Sequence, residues 1–223
     1  MKVMIRAAGK GERLRPLTES IPKPLVEVAG QTLLGRHLRR LAEAGFTRAV
    51  INVSHLAGKI TERFGDGSRE GLRIEWSREA APLETAGGIA QARPLLGPEA
   101  FLLVNADIWC DYEFARLRGI DLEGRLAHLV LVPNPPQHPA GDFSLDQTRV
   151  GNSPAPRYTY AGIAVISPRL VAGIAAGQKA QLAPLWRAAA ERGEVTGELY
   201  DGLWSDVGTP ERLSALETRL KEP

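Results

Sequence analysis

The segment Arg6–Thr18 sets three cations, Lys10, Arg13 and Arg15, around two glycines, Gly9 and Gly11, directly behind the apolar run Val3–Ile5. Bare glycine backbone lets N–H groups approach anionic oxygens, and a loop of such donors makes an anion-binding nest. Arg13 offers a planar fork suited to phosphate, and Lys10 a mobile point charge. This chemistry favours a polyphosphate, with a solvated surface turn as the plain alternative. Two phosphate motifs fail on spacing: no Gly-Lys-Ser/Thr follows, as a P-loop requires, and Leu14 occupies the third glycine position of a dinucleotide fingerprint. Farther on, Pro22 and Pro24 flank Lys23. Their fixed φ angles give Lys23 a stiff stem and a set direction. Two carboxylates, Asp107 and Asp206, follow the apolar runs "FLLV" and "LWS".

These groups need elements to hold them. Val3–Ile5 reads as a short buried strand. Leu34, Leu38 and Leu41 recur at helical spacing within a helix over 33–44 that stops at Gly45. Strands are expected over 49–53, 72–76 and 101–107, the last ending in Asp107. Helices are expected around Ile60 and Phe64 and over "AGGIAQARPLL". The β-α-β-α rhythm predicts a three-layer α/β fold with a mainly parallel, mixed central sheet covered on both faces. Ligands bind such sheets outside the carboxyl ends of the strands, where the opening loop and Asp107 both fall.

From Leu126 the pattern becomes strand-rich, through "AHLVLV", "DFSL", "RYTYAGIAVI" and "LYDGLWSDVG". A last helix begins at Pro210, with Thr209 as its N-cap. The expected layout is a single domain, with a nucleotide-binding half over 1–125 and a sugar-binding half plus C-terminal helix over 126–223.

Composition narrows the function. The 223 residues carry a net charge of only +2, which argues against general nucleic-acid binding. The lone cysteine, Cys110, allows no intramolecular disulfide, and the four histidines show no metal-ligand spacing. No apolar run reaches the roughly 20 residues of a membrane helix, and the N-terminal one is too short for a signal peptide. A soluble, cytoplasmic protein is expected.

"AAGKGERLRPLT" and "PKPLV", followed in order by "LETAGGI", "NAD", "YAGI" and "WSDVGTPERL", resemble the signature of the sugar-1-phosphate nucleotidyltransferases across nearly the whole chain. Through "PLETAGGI", "FLLVNADIW", Gly141–Phe143 and the "WSDVGTPERL" ending, the likeness is greatest to the short uridylyltransferases of bacterial peptidoglycan recycling. The resemblance implies UTP and N-acetylmuramic acid 1-phosphate as substrates and Mg²⁺ as cofactor. Mannose-1-phosphate guanylyl transfer, phosphocholine cytidylyl transfer and non-catalytic nucleotide-sugar sensing are the alternatives.

The resemblance also assigns residues. Asp107 and Asp206 would hold Mg²⁺. Arg13, assisted by Lys10, would hold the β- and γ-phosphates, and Lys23 would lie near the α-phosphate and the incoming sugar phosphate. Ala8, Gly9, Gly11 and Asn105 would line the nucleotide. Gly87 and Gly88 would admit the base edge-on. Asp142, Asn152 and Gly162 would face the sugar. Separately from the resemblance, Trp109 is expected to flank it, because it follows Asp107 by two residues.

The chain also departs from the pattern. Arg6 stands where an apolar residue commonly precedes Ala-Ala-Gly, and pointing into the sheet it would need a partner. The Glu-Lys-Pro block ahead of the sugar-site strand of longer relatives is missing. Gln181 occupies the place of an expected lysine, with Lys179 two residues before it.

Overall fold

The computed structural model describes residues 1–154 and 156–221. Its first half runs β1 (Val3–Arg6), the single turn α1 (Leu17–Ser20), a hairpin of β2 (Glu27–Val28) and β3 (Gln31–Thr32), α2 (Leu33–Glu43), β4 (Arg48–Val53) and α3 (Ala57–Phe64). Then come β5 (Arg73–Arg78), α4 (Glu84–Leu96), β6 (Phe101–Asn105) and β7 (Ile108–Cys110). The second half runs β8 (Ala127–Val132), β9 (Phe143–Asp146), β10 (Arg149–Gly151) and β11 (Arg157–Ile166). It closes with α5 (Ala183–Glu191), β12 (Val195–Leu199), β13 (Trp204–Asp206) and α6 (Pro210–Arg219).

Among the described residues nine strands form one sheet in the order β5-β4-β1-β6-β11-β8-β12-β10-β9. In the first half β4 and β6 flank β1 and β5 joins β4, all parallel. β11 enters antiparallel between β6 and β8 and joins the halves into one sheet. Strand alternation sorts β1 onto two cores. Val3 and Ile5 pack with Leu34, Leu38 and Phe64 on one face, while Met4 packs with Ile89, Leu103 and Trp186 on the other. A third cluster, with Val28, Trp109, Val207 and Leu216, ties the hairpin to α6. No helix among the described residues is long and apolar enough to cross a membrane.

The α/β architecture is the expected one, and three elements differ. The strand expected over 101–107 stops at Asn105, and Asp107 sits in the turn that follows. "LYDGLWSDVG" is not one strand: its first residue ends β12, and Trp204–Asp206 pairs instead with β7 in a separate antiparallel ribbon. α5 was not expected, because its core-facing residues are few. Trp186, Ala189 and Ala190 nevertheless stand at helical spacing and are buried. The expected cap, Thr209, is present, and α2 has one that was not expected. The hydroxyl of Thr32 accepts from the Gly35 amide at the start of α2, and that of Thr209 from the Arg212 amide at the start of α6.

Candidate active site

A cavity of about 870 Å³ opens beyond the carboxyl ends of β1, β4 and β6, and the loop after β1 forms one of its walls. Gly11 has φ +65°, and a Cβ there would stand 2.9 Å from Thr18 Cγ2 and 3.1 Å from Lys23 Cβ, so only glycine fits. The Thr18 hydroxyl donates to the Gly11 carbonyl at 2.7 Å, and Leu14 is fully buried. Leu14 therefore anchors the loop instead of continuing a dinucleotide motif. Ala8, Gly9, Lys10, Gly11 and Arg13 all line the cavity. Lys10 and Arg15 both approach Glu12 at 3.9 Å, but these pairs are more than half exposed and contribute little stability.

The start of the loop is tied to the sheet by residues that the sequence reading passed over. The Ala7 amide donates to Asn52 Oδ1 at 2.9 Å, and Asn52 Nδ2 donates to Glu79 Oε1 at 2.6 Å. Glu79 Oε2 accepts from the Leu83 amide at 2.9 Å, just ahead of α4. Asn52 and Glu79 are both buried. Nothing in the local sequence marks such a chain; parallel register alone sets Asn52 beside Arg6. Asn52→Ala leaves a buried amide and a carboxylate oxygen unpaired and should lower stability by about 1–3 kcal/mol. Urea unfolding checks this.

Gly88 serves the same chain, since a Cβ there would lie 2.7 Å from Glu79 Oε1 and 2.9 Å from Asn52 Nδ2. At Gly87 a Cβ would lie 2.3 Å from the Gln178 carbonyl. Both glycines are buried against protein, and neither lines the cavity. The neighbouring wall is formed by Ala81, Pro82 and Glu84.

Lys23 begins a short 3-10 turn, and its side chain is only 10% exposed. Its ammonium bonds the Asp107 carboxylate. Burial pushes the Asp107 carboxyl up, but the Lys23 charge, its hydrogen bond and the more distant Arg6 outweigh this and hold it below the usual carboxylate range. Asp107 is thus an ionised oxygen donor at the cavity wall, 38% exposed. β13 brings Asp206 opposite Ile108, and the Val207 amide donates to the Asp107 carbonyl at 2.8 Å. The two aspartates therefore come from adjoining positions of one ribbon. Asp206 does not line the cavity, although Gly208 does. Its oxygens accept from Arg212 Nη1 at 2.8 and 2.6 Å and from Gln137 at 2.9 Å.

Among the described residues no group of three or more His, Cys, Asp or Glu side chains could hold a metal ion. The Asp107 carboxylate at the cavity wall fits a divalent cation that takes its other ligands from phosphates and water, the habit of Mg²⁺, whereas the Asp206 carboxylate is turned to Arg212 and Gln137.

α2 fixes the ribbon from below. His37 Nε2–H donates to the Ile108 carbonyl at 2.8 Å, and Arg40 donates to the carbonyls of Cys110 and Tyr112 at 2.7 and 2.9 Å. The Arg36 guanidinium lies 4.0 Å from the centre of the Trp109 ring. Trp109, expected beside the sugar, is buried in the third cluster, because β7 turns it toward α2. Burial holds the His37 pKa down to about 4. The unfolded chain takes up this proton near pH 6.5, so stability is complete above that value and falls as pH drops toward 4. The loss amounts to about 3 kcal/mol. Unfolding measured at several pH values should show a shallower acid decline for His37→Gln than for the parent.

In the second half Asp142 Oδ2 accepts from the Tyr160 amide at 2.8 Å, and its Oδ1 meets His138 Nε2 at 3.1 Å. Asn152 donates to the Arg187 carbonyl at 3.0 Å. Gly162, at φ +83°, leaves room for Asn105, whose Nδ2 would lie 3.0 Å from a Cβ there. Of these four, only Asn105 lines the cavity. Arg6 lines it as well, from the end of β1.

A glycine-and-cation loop at the carboxyl edge of a mixed sheet, facing an ionised aspartate, is the arrangement of a nucleotide-handling transferase. The chain belongs to the nucleotidyl transferase family, whose model matches residues 2–139. It is 48% identical over 224 residues to the N-acetylmuramate alpha-1-phosphate uridylyltransferase of Neisseria meningitidis serogroup B, spanning 96% of this chain and 95% of that one. It is 35% identical over 235 residues to the enzyme of the same name from Caulobacter vibrioides, spanning 98% and 96% of the two chains. A Bacillus anthracis protein assigned as a glucose-1-phosphate thymidylyltransferase, solved with sucrose, shares the fold. The TM-score is 0.88 over 100% of this chain and 96% of that one, at 16% identity.

Proposed function

We propose that this chain transfers a uridylyl group from UTP to N-acetylmuramic acid 1-phosphate in the cytoplasm, forming UDP-N-acetylmuramic acid and pyrophosphate for peptidoglycan recycling. The observation that carries this reading is the 48% identity to the Neisseria enzyme along nearly the full length of both chains. An oxygen of the sugar phosphate attacks the α-phosphorus of UTP. The bond from that phosphorus to the oxygen bridging to the β-phosphate breaks, and pyrophosphate leaves with the electron pair. The attacking phosphate is already an anion near neutral pH, so alignment and charge neutralisation suffice without a strong base.

In this reading Arg13, Lys10 and the amides around Gly9 and Gly11 hold the departing phosphates. Ala8 and Asn105 flank the nucleoside. Lys23 neutralises charge at the α-phosphate. Asp107 and Asp206 hold Mg²⁺, which when bound supplies Lewis-acid stabilisation of the phosphate oxygens. Gly87 and Gly88 keep α4 close beneath the wall that meets the base. Asp142, Asn152 and Gly162 shape the sugar side. The chain acts as one nucleotidyltransferase unit with a nucleotide half and a sugar half, a view supported by the sheet that runs through both.

The test is pyrophosphate release with Mg²⁺, crossing the four ribonucleoside triphosphates and dTTP with the 1-phosphates of N-acetylmuramate, N-acetylglucosamine, glucose and mannose. Preferred release from UTP with the muramyl phosphate is the expected result. A GTP–mannose preference overturns the substrates and keeps the chemistry, whereas silence from every pair returns the chain to nucleotide-sugar sensing.

A further inference from the structure

We propose that Arg6 is a substrate-binding residue that holds the phosphate of the incoming sugar 1-phosphate from the floor of the cavity. The proposal rests on the transfer reaction above. β1 brings Arg6 to the carboxyl edge of the sheet, paired in register with Asn52 of β4 and Asn105 of β6, while Asn105 in turn stands beside Gly162 of β11. Arg6 thus belongs to a polar row, Asn52–Arg6–Asn105, that ends against Gly162 of β11.

The charges of the cavity single it out. Five cations and four acids line it. Each acid is engaged: Glu12 by Lys10 and Arg15, Glu84 by Lys179, and Asp107 by Lys23. Glu79 is held by Asn52 and the Leu83 amide. Among the described residues Arg6 and Arg13 are the cavity cations in no ion pair. Arg13 has the loop and its triphosphate to account for it. Arg6 has only one hydrogen bond, from Nη1 to Asn105 Oδ1 at 3.1 Å, for a guanidinium that carries five N–H donors.

The half-buried guanidinium lines the cavity with donors still free for an anion. A bound phosphate, which accepts a planar fork in bidentate fashion, supplies that anion. Position selects which phosphate. Asn105 joins Arg6 to β11, and Asp107 lies two residues past Asn105. In the transfer reaction above, a phosphate held between Asp107 and β11 is that of the second substrate.

Initial rates of the full chain, the Arg6→Met variant and the Arg6→Lys variant, with UTP and the sugar 1-phosphate varied separately, test the assignment. Arg6→Met should raise the KM for the sugar phosphate roughly tenfold or more while the KM for UTP stays within about twofold, and Arg6→Lys should fall between. An unchanged sugar-phosphate KM overturns the proposal. A rise confined to UTP also overturns it and gives the oxyanion to the nucleotide. Should Arg6→Met fail to fold, Arg6→Lys against the parent carries the same comparison. The substrate assignment fails separately: if the parent rejects N-acetylmuramic acid 1-phosphate, the variants are compared on whichever sugar 1-phosphate it accepts. Acceptance of none overturns both.

Discussion

Asp107→Asn is expected to fold like the parent and to release pyrophosphate about 10³-fold more slowly, the scale of losing several kcal/mol of transition-state charge stabilisation. The fold should tolerate the change because the asparagine carbonyl still accepts from Lys23, and the carboxylate it replaces is 38% exposed. The stability loss should stay near 1 kcal/mol. The catalytic loss arises elsewhere: a neutral amide cannot supply the negative oxygen that a hard divalent cation prefers. Single-turnover rates with saturating UTP and Mg²⁺, beside a thermal unfolding curve, separate the two effects. A variant with near-parental turnover removes Asp107 from the metal site.

Lys23→Ala carries the second large effect, a fall in kcat of about 10²–10³-fold. Lys23 and Asp107 are 84 positions apart in the chain, yet the ammonium bonds the carboxylate with its side chain only 10% exposed. Removing it takes a positive charge from the site of reaction and also releases Asp107. Burial, the cause that raises the Asp107 carboxyl, then meets only the weaker opposition of Arg6 and the backbone. The sign follows: the acid limb of the kcat profile should move to higher pH in Lys23→Ala, because the carboxylate now protonates earlier on acidification. A profile that keeps its acid limb in place would show that Lys23 does not set the state of Asp107. The Lys23 side chain is only 10% exposed and already bonds Asp107, so the longer, forked cation of Lys23→Arg should rescue poorly.

The same pair illustrates what was legible before the fold. Lys23 between prolines and Asp107 after an apolar run are local features, and both were singled out from residue type alone. Their salt bridge was not. The loop was legible for the same reason: Gly11 must be glycine because of its own φ and its close neighbours. Leu14 correctly ruled out a dinucleotide motif, but its role as a buried anchor depends on the packing around it and was not legible.

Other misreadings share one cause. Asn52 and Glu79 carry no local signature, because their partnership is set by parallel strand register and by the turn before α4. Trp109 was placed beside a sugar from its distance in sequence to Asp107, whereas the pleat of β7 sends it under Arg36. Gly87 and Gly88 were given to a base, and their immediate contacts are the 178–180 segment and the Asn52–Glu79 pair.

By itself the sequence determined the α/β rhythm, most strands and helices of the first half, and the anion chemistry of the first loop. Those depend on hydrophobic period and on the steric freedom of single residues, both properties of a short stretch of chain. Tertiary structure alone decided that Lys23 neutralises Asp107, that Asp206 faces Arg212, and that Arg6 opens onto the cavity beside Asn105. The Arg6–Asn105 contact depends on register between strands distant in sequence, where a shift of one residue would send every side chain to the opposite face, and the other two depend on how the Lys23 turn and α6 pack against the ribbon.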